Sequence, residues 1–432
     1  MMDMQIDDLS SLPSQFSYLL TAMDQYYGLP VWKNEKTRIY KGNAPKRLKY
    51  NKKLRILITT FWDYPAVGGL QKYIAALKAG LEKLGHHVDV FAPNHFPKKV
   101  KRKLHSKISK YFTQYLLDRY GSVNKNILNN LCNLSLYKIM MEALDLHQYD
   151  LIHAQDRFTC NVTGIVNKSY EIPLLFTPHG FMTHNKLKFK LLKKGSIEEA
   201  YYSTIDKQAV KNANHVINLC EAFRPLLKKL GADDNRMTTV YTGIDFKAES
   251  DQNGHEKTII TCVSRLRPRK GHKYLFDALA LIKDELKNVE VRIVGDGEMR
   301  EILEKQVKKL NLKNVFFLGR RNDIPQLLSQ SDIFVLPTTS DTLPISIIEA
   351  MLAGQAILTT NIGGIPEIIQ ENRTGLIAQP GSTEQLAEKL LLLLRNKSLR
   401  IKLASQAKSY ANEHLTVDSM VKEIVEIYQS LN

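Results

Sequence analysis

Arg265 and Lys270 stand five residues apart in Ser264-Arg265-Leu266-Arg267-Pro268-Arg269-Lys270-Gly271, directly after the apolar run 259–263. A tight turn there aims two permanent cations at one point, and a diphosphate is the ligand such a pair suits. Further along comes Asp341-Thr342-Leu343-Pro344-Ile345-Ser346-Ile347-Ile348-Glu349-Ala350-Met351. Glu349 lies in the apolar run 345–351, where a bare carboxylate costs several kcal/mol unless donors reach it; the two hydroxyls of a ribose are such donors. Together the two stretches describe a site for a nucleotide sugar. Asp341-Thr342-Leu343-Pro344 also admits a plainer reading, as a helix N-cap with Pro344 in the first turn. That reading leaves Glu349 unexplained, and the same helix end, from Thr342 to Ile345, would still offer amides to an anion.

Four further places carry usable chemistry. Gly68-Gly69 follows the first strand and opens a helix, which suits either a close backbone approach to a ligand or tight packing. His179, in Phe176-Thr177-Pro178-His179-Gly180-Phe181, lies just past a strand; a lone His there is often a local hydrogen-bonding residue. His153 and Asp156 fall in the polar turn Leu151-Ile152-His153-Ala154-Gln155-Asp156-Arg157. Gly295-Asp296-Gly297-Glu298 and Leu318-Gly319-Arg320-Arg321 both end strands, as nucleotide-contacting turns do and as plain strand-to-helix turns also do.

These residues need elements to hold them. The run 54–60 has strand length, a helical period follows in Leu70, Ile74, Leu77, Leu81 and Leu84, Gly85 stops it, and 88–91 resumes as a strand. Strand, helix, strand is a parallel unit, repeated through strands at 151–153, 174–177 and 216–219. The polar segment 245–257 reads as a linker. A second alternation then has strands at 259–263, 289–294, 315–318, 333–336 and 356–358, with helices such as 274–286 and 299–310. Residues 1–50 read as an extension with at most one short helix and a basic stretch at 41–53. In doubly wound sheets, ligands bind at the C-terminal ends of the strands.

At 432 residues the chain can bury two cores, and 44% hydrophobic with 24% charged residues suits a water-soluble protein. Cys132, Cys160, Cys220 and Cys262 are too far apart for a zinc knuckle or redox pair, which points to a reduced, intracellular setting. The acidic start Met1-Met2-Asp3-Met4-Gln5-Ile6-Asp7-Asp8 is no export signal, and no apolar run is long enough to span a bilayer. The net charge of +17 is clumped. Lys98, Lys99, Lys101, Arg102, Lys103, Lys107 and Lys110 alternate with Val100, Leu104, Ile108 and Tyr111, and Lys186, Lys188, Lys190, Lys193 and Lys194 with Leu187, Phe189, Leu191 and Leu192. The segments 98–110 and 186–194 suit an anionic membrane surface or polyanionic acceptor, or else form a solvated basic face. Nucleic acid is not expected, because no recognition signature accompanies the charge.

The motif residues resemble those of the retaining glycosyltransferases of family four, which have the GT-B fold, and the similarity extends from about Leu54 to the C-terminus. In that family an Arg and a Lys spaced like Arg265 and Lys270 neutralise the donor diphosphate. Two acids spaced like Asp341 and Glu349 lie near the donor sugar and on the ribose. The first acid is usually Glu, often followed by Phe-Gly, whereas here Asp341 precedes Leu343-Pro344. A His placed like His179 hydrogen-bonds the donor sugar while its carbonyl faces the reacting centre. Backbone groups at positions like Gly319 and Arg320 hold the base. His153 and Asp156 match a turn that many relatives place near the acceptor, and Gln155 stands where relatives often have a second His.

The resemblance implies an α/β GT-B fold, two doubly wound Rossmann-like domains facing a central cleft. An acceptor-side domain would span 51–245 and a donor domain 246–416, with the helix 417–431 packing back on the first. The implied catalytic residues are His179, Arg265, Lys270 and Asp341. Donor contacts would come from Gly68, Gly69, Gly295, Gly319, Arg320, Thr342, Leu343, Pro344, Ile345 and Glu349. The implied reaction moves a sugar from a nucleotide diphosphate, a UDP-sugar first among them, to an acceptor hydroxyl with retention of configuration. The diphosphate itself helps to deprotonate the acceptor. No Asp-x-Asp pair stands in the donor stretches, so neither metal nor cofactor is expected beyond the nucleotide sugar. The acceptor is open between glycan, lipid-linked and protein, and the expected location is cytoplasmic, with a peripheral place at the inner membrane face left open. A GT-B sugar-nucleotide epimerase and a catalytically silent scaffold remain as alternatives.

Overall fold

A computed structural model describes residues 9–31, 53–180, 182–188, 190–246 and 256–431. Most of the expected linker, nearly all of the basic stretch 41–53, and much of the expected extension lie outside these residues. The chain divides into two units. The first holds the described residues up to Asn218 with Pro225–Thr238 and those from Ile424 on; the second holds Leu219–Arg224 and Thr239–Glu423.

The first unit is built on β1 (Arg55–Thr59), β2 (His87–Phe91), β3 (Leu151–Ala154), β4 (Leu174–Phe176), β5 (His215–Asn218) and β6 (Met237–Thr239), in the order β2-β1-β3-β4-β5-β6. Pairing is parallel from β2 through β5. The second contains β7 (Thr258–Val263), β8 (Val289–Val294), β9 (Val315–Gly319), β10 (Ile333–Leu336), β11 (Ala356–Thr360) and β12 (Leu376–Ala378), in the order β12-β11-β10-β7-β8-β9, parallel throughout. β3, β4, β10 and β11 are buried along their whole length, which is why apolar residues dominate them, unbroken in β4 and β10. The short β6 and β12 carry too few apolar residues to stand out by pattern.

Each order reverses direction once, between β1 and β3 in the first sheet and between β7 and β10 in the second. Loops leaving neighbouring strands diverge at these switch points and leave a crevice at the C-terminal edge. The residues after β1 and β3 are Thr60–Gly69 and Gln155-Asp156. Those after β7 and β10 are Ser264–Gly271 and Pro337–Pro344.

The N-terminal region departs from expectation. Two helices, Leu12–Gln15 and Ser17–Tyr27, pack into the first unit, with Phe16, Leu19 and Leu20 fully buried. The period Leu12, Phe16, Leu19, Leu20, Met23 lays one apolar stripe on that core. Asp24, completely buried, is held by Arg119 Nε at 2.8 Å, Arg119 Nη2 at 2.7 Å and the Tyr120 hydroxyl at 2.9 Å. The basic segment 98–110 begins the long helix Lys98–Tyr120, whose Leu104, Ile108, Phe112 and Leu116 recur every four residues and face inward. Leu104 and Ile108 are therefore core residues rather than part of a surface for lipid; Val100 alone of the interleaved aliphatics stays exposed.

Candidate functional site

In the second unit the loops after β7 and β10 are tied to each other. The Thr339 amide donates to the Arg269 carbonyl at 2.7 Å, and the Thr338 hydroxyl reaches the same carbonyl at 3.0 Å. Lys270 Nζ donates to Asp341 Oδ2 at 2.7 Å, Arg269 Nη1 to Asp341 Oδ1 at 2.7 Å, and Thr338 Oγ1 to Asp341 Oδ2 at 2.9 Å. Burial would raise the Asp341 carboxyl, but the charges of Lys270 and Arg269 overcome it and hold the group below its ordinary value. Burial lowers the Lys270 ammonium and outweighs the opposing pull of Asp341. Arg265 is exposed at the mouth of this turn, and burial of its inner part, with Arg267 and Arg269 nearby, lowers its guanidinium. Several cations thus gather around one carboxylate, and the excess positive charge can meet a polyanion.

The plainer N-cap reading fails on this geometry. The helix Ile345–Ala353 has Pro344 itself at the N-cap and no side-chain cap, because the Asp341 carboxylate is turned toward the cations. Glu349 is 7% exposed within that helix, so the expected burial is present. The Thr342 carbonyl accepts from the Gly364 amide at 2.7 Å, and a Cβ at Gly363 would collide with the Asp341 carbonyl, so the turn after β11 buttresses this loop from behind.

The glycines separate into two kinds. Gly295 has φ of 135°, and a Cβ there would strike the Ser264 carbonyl; Gly297 crowds the Leu266 carbonyl in the same way. These residues let the turn after β8 press on the turn carrying Arg265, and the Leu266 amide donates to the Asp296 carbonyl at 3.0 Å. Packing alone therefore accounts for Gly295. Gly319 ends β9, where its carbonyl accepts from the Gly295 amide at 2.8 Å, and Arg320 beside it is exposed. Gly68 is the N-cap and Gly69 the first residue of the helix Gly69–Lys83; a Cβ on Gly68 would meet only the movable end of Gln71.

In the first unit, His153 and Asp156 point into the fold. His153 is fully buried at the end of β3, with Nδ1 2.8 Å from the Tyr428 hydroxyl and Nε2 2.7 Å from Thr177 Oγ1; burial pushes it down to about 3. Both ring nitrogens are occupied by protein, so the expected acceptor contact gives way to a framework role. Asp156 is the N-cap of the helix Arg157–Val166, accepting from the Phe158 and Thr159 amides at 2.9 Å each and from the Phe61 amide at 2.7 Å. Burial raises it to about 6, against the pull of those amides. Its oxygens are spent on the backbone, which again removes an acceptor contact. His179 is only partly covered. Its Nε2 lies 3.0 Å from Gln155 Oε1, its ring meets Tyr73 edge-on at 4.5 Å, and burial lowers it to about 3.

Arg269, Thr338, Tyr73 and Tyr428 were not legible as site residues. Arg269 could have been found, since it adjoins Lys270 in a run of cations; Tyr428 lies too far along the chain from His153 for spacing to connect them.

The chain matches the family model for glycosyl transferases group 1 over residues 244–411 and that for Glycosyltransferase Family 4 over residues 67–248. It is 25% identical over 393 residues to N-acetyl-alpha-D-glucosaminyl L-malate synthase of Bacillus anthracis, covering 87% of this chain and 97% of that one. It is 27% identical over 340 residues to UDP-Gal:alpha-D-GlcNAc-diphosphoundecaprenol alpha-1,3-galactosyltransferase of Escherichia coli, covering 73% and 84%. Among solved structures, Anabaena Alr3699/HepE in complex with UDP and glucose superposes with a TM-score of 0.65 at 21% identity, covering 87% of this chain and 100% of that one.

Proposed function

This chain belongs to the family-four glycosyltransferases of the GT-B fold, and on that premise we propose that it moves a sugar from a UDP-sugar to an acceptor hydroxyl with retention and without a metal. The observation that carries the reading is the pairing of Arg269 and Lys270 with Asp341, with Arg265 at the mouth of the same turn, at the switch point of the second sheet. As the glycosidic bond breaks, negative charge grows on the departing diphosphate, and fixed cations offset it at no cost of reorganisation; one such group contributes about a hundred- to a thousandfold in rate. Asp341 keeps Lys270 charged and aimed. The uncapped amides of the helix Ile345–Ala353 add to the field. Glu349 holds the ribose. His179, neutral at working pH, supports the sugar, and the diphosphate takes the acceptor proton on the face it leaves.

UDP is supported as the carrier by the UDP-bound structural neighbour, and a lipid-linked diphosphate acceptor by the E. coli relative. The exposed basic side chains of the helix Lys98–Tyr120 suit an enzyme that works in the cytoplasm against an anionic membrane face. The test is incubation of the purified protein with a panel of nucleotide sugars, with and without a chelator, reading released nucleotide. Turnover of UDP-sugars that survives chelation and depends on acceptor is expected. Donor conversion without any acceptor would point to the epimerase reading.

A further inference from the structure

Beyond the residues already given a role, one contact at the first sheet's C-terminal edge carries a consequence for the state of His179. We propose that Gln155 is a positioning residue that fixes His179 as its Nε2–H tautomer, leaving Nδ1 a bare acceptor toward the ligand; this rests on the reading of His179 as a sugar contact.

Gln155 is completely buried, and its amide donates to the Thr59 carbonyl at 2.9 Å, so its backbone is pinned beside β1. Its side chain has one partner within the described residues: Oε1 faces His179 Nε2 at 3.0 Å. A carbonyl oxygen accepts only, so the nitrogen opposite must carry the hydrogen, and a neutral imidazole with Nε2–H presents Nδ1 as a lone pair. Burial leaves Gln155 Nε2 without a partner among the described residues, an expense that a residue selected for packing alone would avoid by being apolar.

The surroundings favour a neutral ring. Tyr73, from the helix Gly69–Lys83, meets it edge-on, and burial raises the Tyr73 phenol, so it brings no charge. His153, on β3, is itself neutral between Tyr428 and Thr177. The neighbouring Asp156 carboxylate is taken up by the amides of Phe61, Phe158 and Thr159. Because a carboxamide does not ionise, Gln155 orients the ring without drawing a second proton onto it, as a carboxylate at the same place would. A ring held this way accepts from a sugar hydroxyl and cannot act as an acid.

The first measurement leaves Gln155 unchanged: nitrogen NMR of histidine-labelled full-length protein, with His179 assigned through its loss in His179→Asn. The Nε2–H pattern should persist from pH 8 to about pH 5. An Nδ1–H pattern, or a mixture of the two, overturns the proposal whether or not the protein turns over any sugar, so its failure is separate from that of the transferase reading. Gln155→Glu should raise the His179 pKa toward neutrality and add an ionisation to the kcat profile that wild type lacks. Gln155→Leu should mix the tautomers and lower kcat by about tenfold with donor KM nearly unchanged. A Gln155→Leu protein with circular dichroism, tautomer and kcat all like wild type would also sink it.

Discussion

Lys270 Nζ sits 2.7 Å from Asp341 Oδ2, and both side chains are almost wholly shielded from solvent. The pair couples the loop after β7 to the loop after β10; removing Asp341 strands Lys270, whereas removing Lys270 leaves Asp341 with Arg269 and Thr338. Lys270→Ala should lower turnover by about a hundred- to a thousandfold. Asp341→Asn should lower it as well and destabilise the second unit by about 3–5 kcal/mol, because Lys270 and Arg269 lose their counter-charge. The double variant should recover stability but not activity. Arg265→Ala, at an exposed position, should lose similar activity with an unchanged melting curve. Near wild-type rates for both Lys270→Ala and Arg265→Ala at saturating donor would mean that the diphosphate binds elsewhere.

Glu349 is 7% exposed in the middle of a helix that, Ser346 apart, is otherwise apolar. Glu349→Gln keeps the shape and removes the charge, so it should weaken binding of a nucleoside diphosphate by about tenfold or more, the loss expected for a charge-assisted hydrogen bond. Binding of the free sugar should not change. Calorimetry that finds equal affinity of wild type and variant for the nucleoside diphosphate would leave Glu349 a structural residue.

How much the sequence disclosed follows from how local each signal is. β1 and β7 were legible because each is an apolar run ending in a glycine-bearing or cationic turn. The Arg265–Lys270 spacing was legible because one turn holds both residues. Asp341 was found as an acid of the site, but its bond to Lys270 joins two loops whose adjacency is set by strand order, which spacing does not encode. His153 and Asp156 looked like surface chemistry because a polar turn in sequence does not say which way its side chains face. In residues 1–50 at most one short helix was legible, because the apolar stripe shared by Leu12–Gln15 and Ser17–Tyr27 is short and interrupted.

His153 and His272, both buried, and the partly covered His179 make stability depend on pH. Burial lowers His153 and His179 to about 3 and His272 to about 4, from an ordinary value of 6.5. In the unfolded chain they bind protons below 6.5, and in the folded chain they do not. Their contribution is therefore complete above pH 6.5 and is lost as pH falls from there toward the folded values. Each site should steepen the loss by up to about 1.4 kcal/mol per pH unit, the full slope for one proton. Urea midpoints measured at pH 7.5, 6.5, 5.5 and 5.0 should hold level and then drop. Midpoints that stay flat down to pH 5.0 would show that these rings protonate in place.

The helix Lys98–Tyr120 turns Leu104, Ile108, Phe112 and Leu116 inward and leaves Lys98, Lys99, Arg102, Lys103, Lys107 and Lys110 exposed. Lys101 is drawn aside to the Pro93 carbonyl at 2.7 Å. In the second cluster Lys188, Lys190, Lys193 and Lys194 are exposed, while Lys186 lies over the Tyr202 ring at 5.2 Å. With Leu104, Ile108 and Leu116 committed to the core and only Val100 and Leu117 of its aliphatic side chains exposed, the long helix can offer an anionic surface charge but little apolar insertion. At about 1 kcal/mol for each cation near such a surface, this face should hold the protein on acidic vesicles at low salt. The Debye length shrinks to about 3 Å at 1 M salt, so the attachment should be released well before that. Co-sedimentation with acidic and neutral vesicles, and with an anionic polymer, across a salt series decides the matter. Lys99→Glu, Lys103→Glu and Lys107→Glu together should abolish binding without touching the core. Protein that stays in the supernatant with every partner at low salt would mark a merely solvated face. Binding to neutral vesicles that survives high salt would mean that apolar residues outside this helix carry the contact.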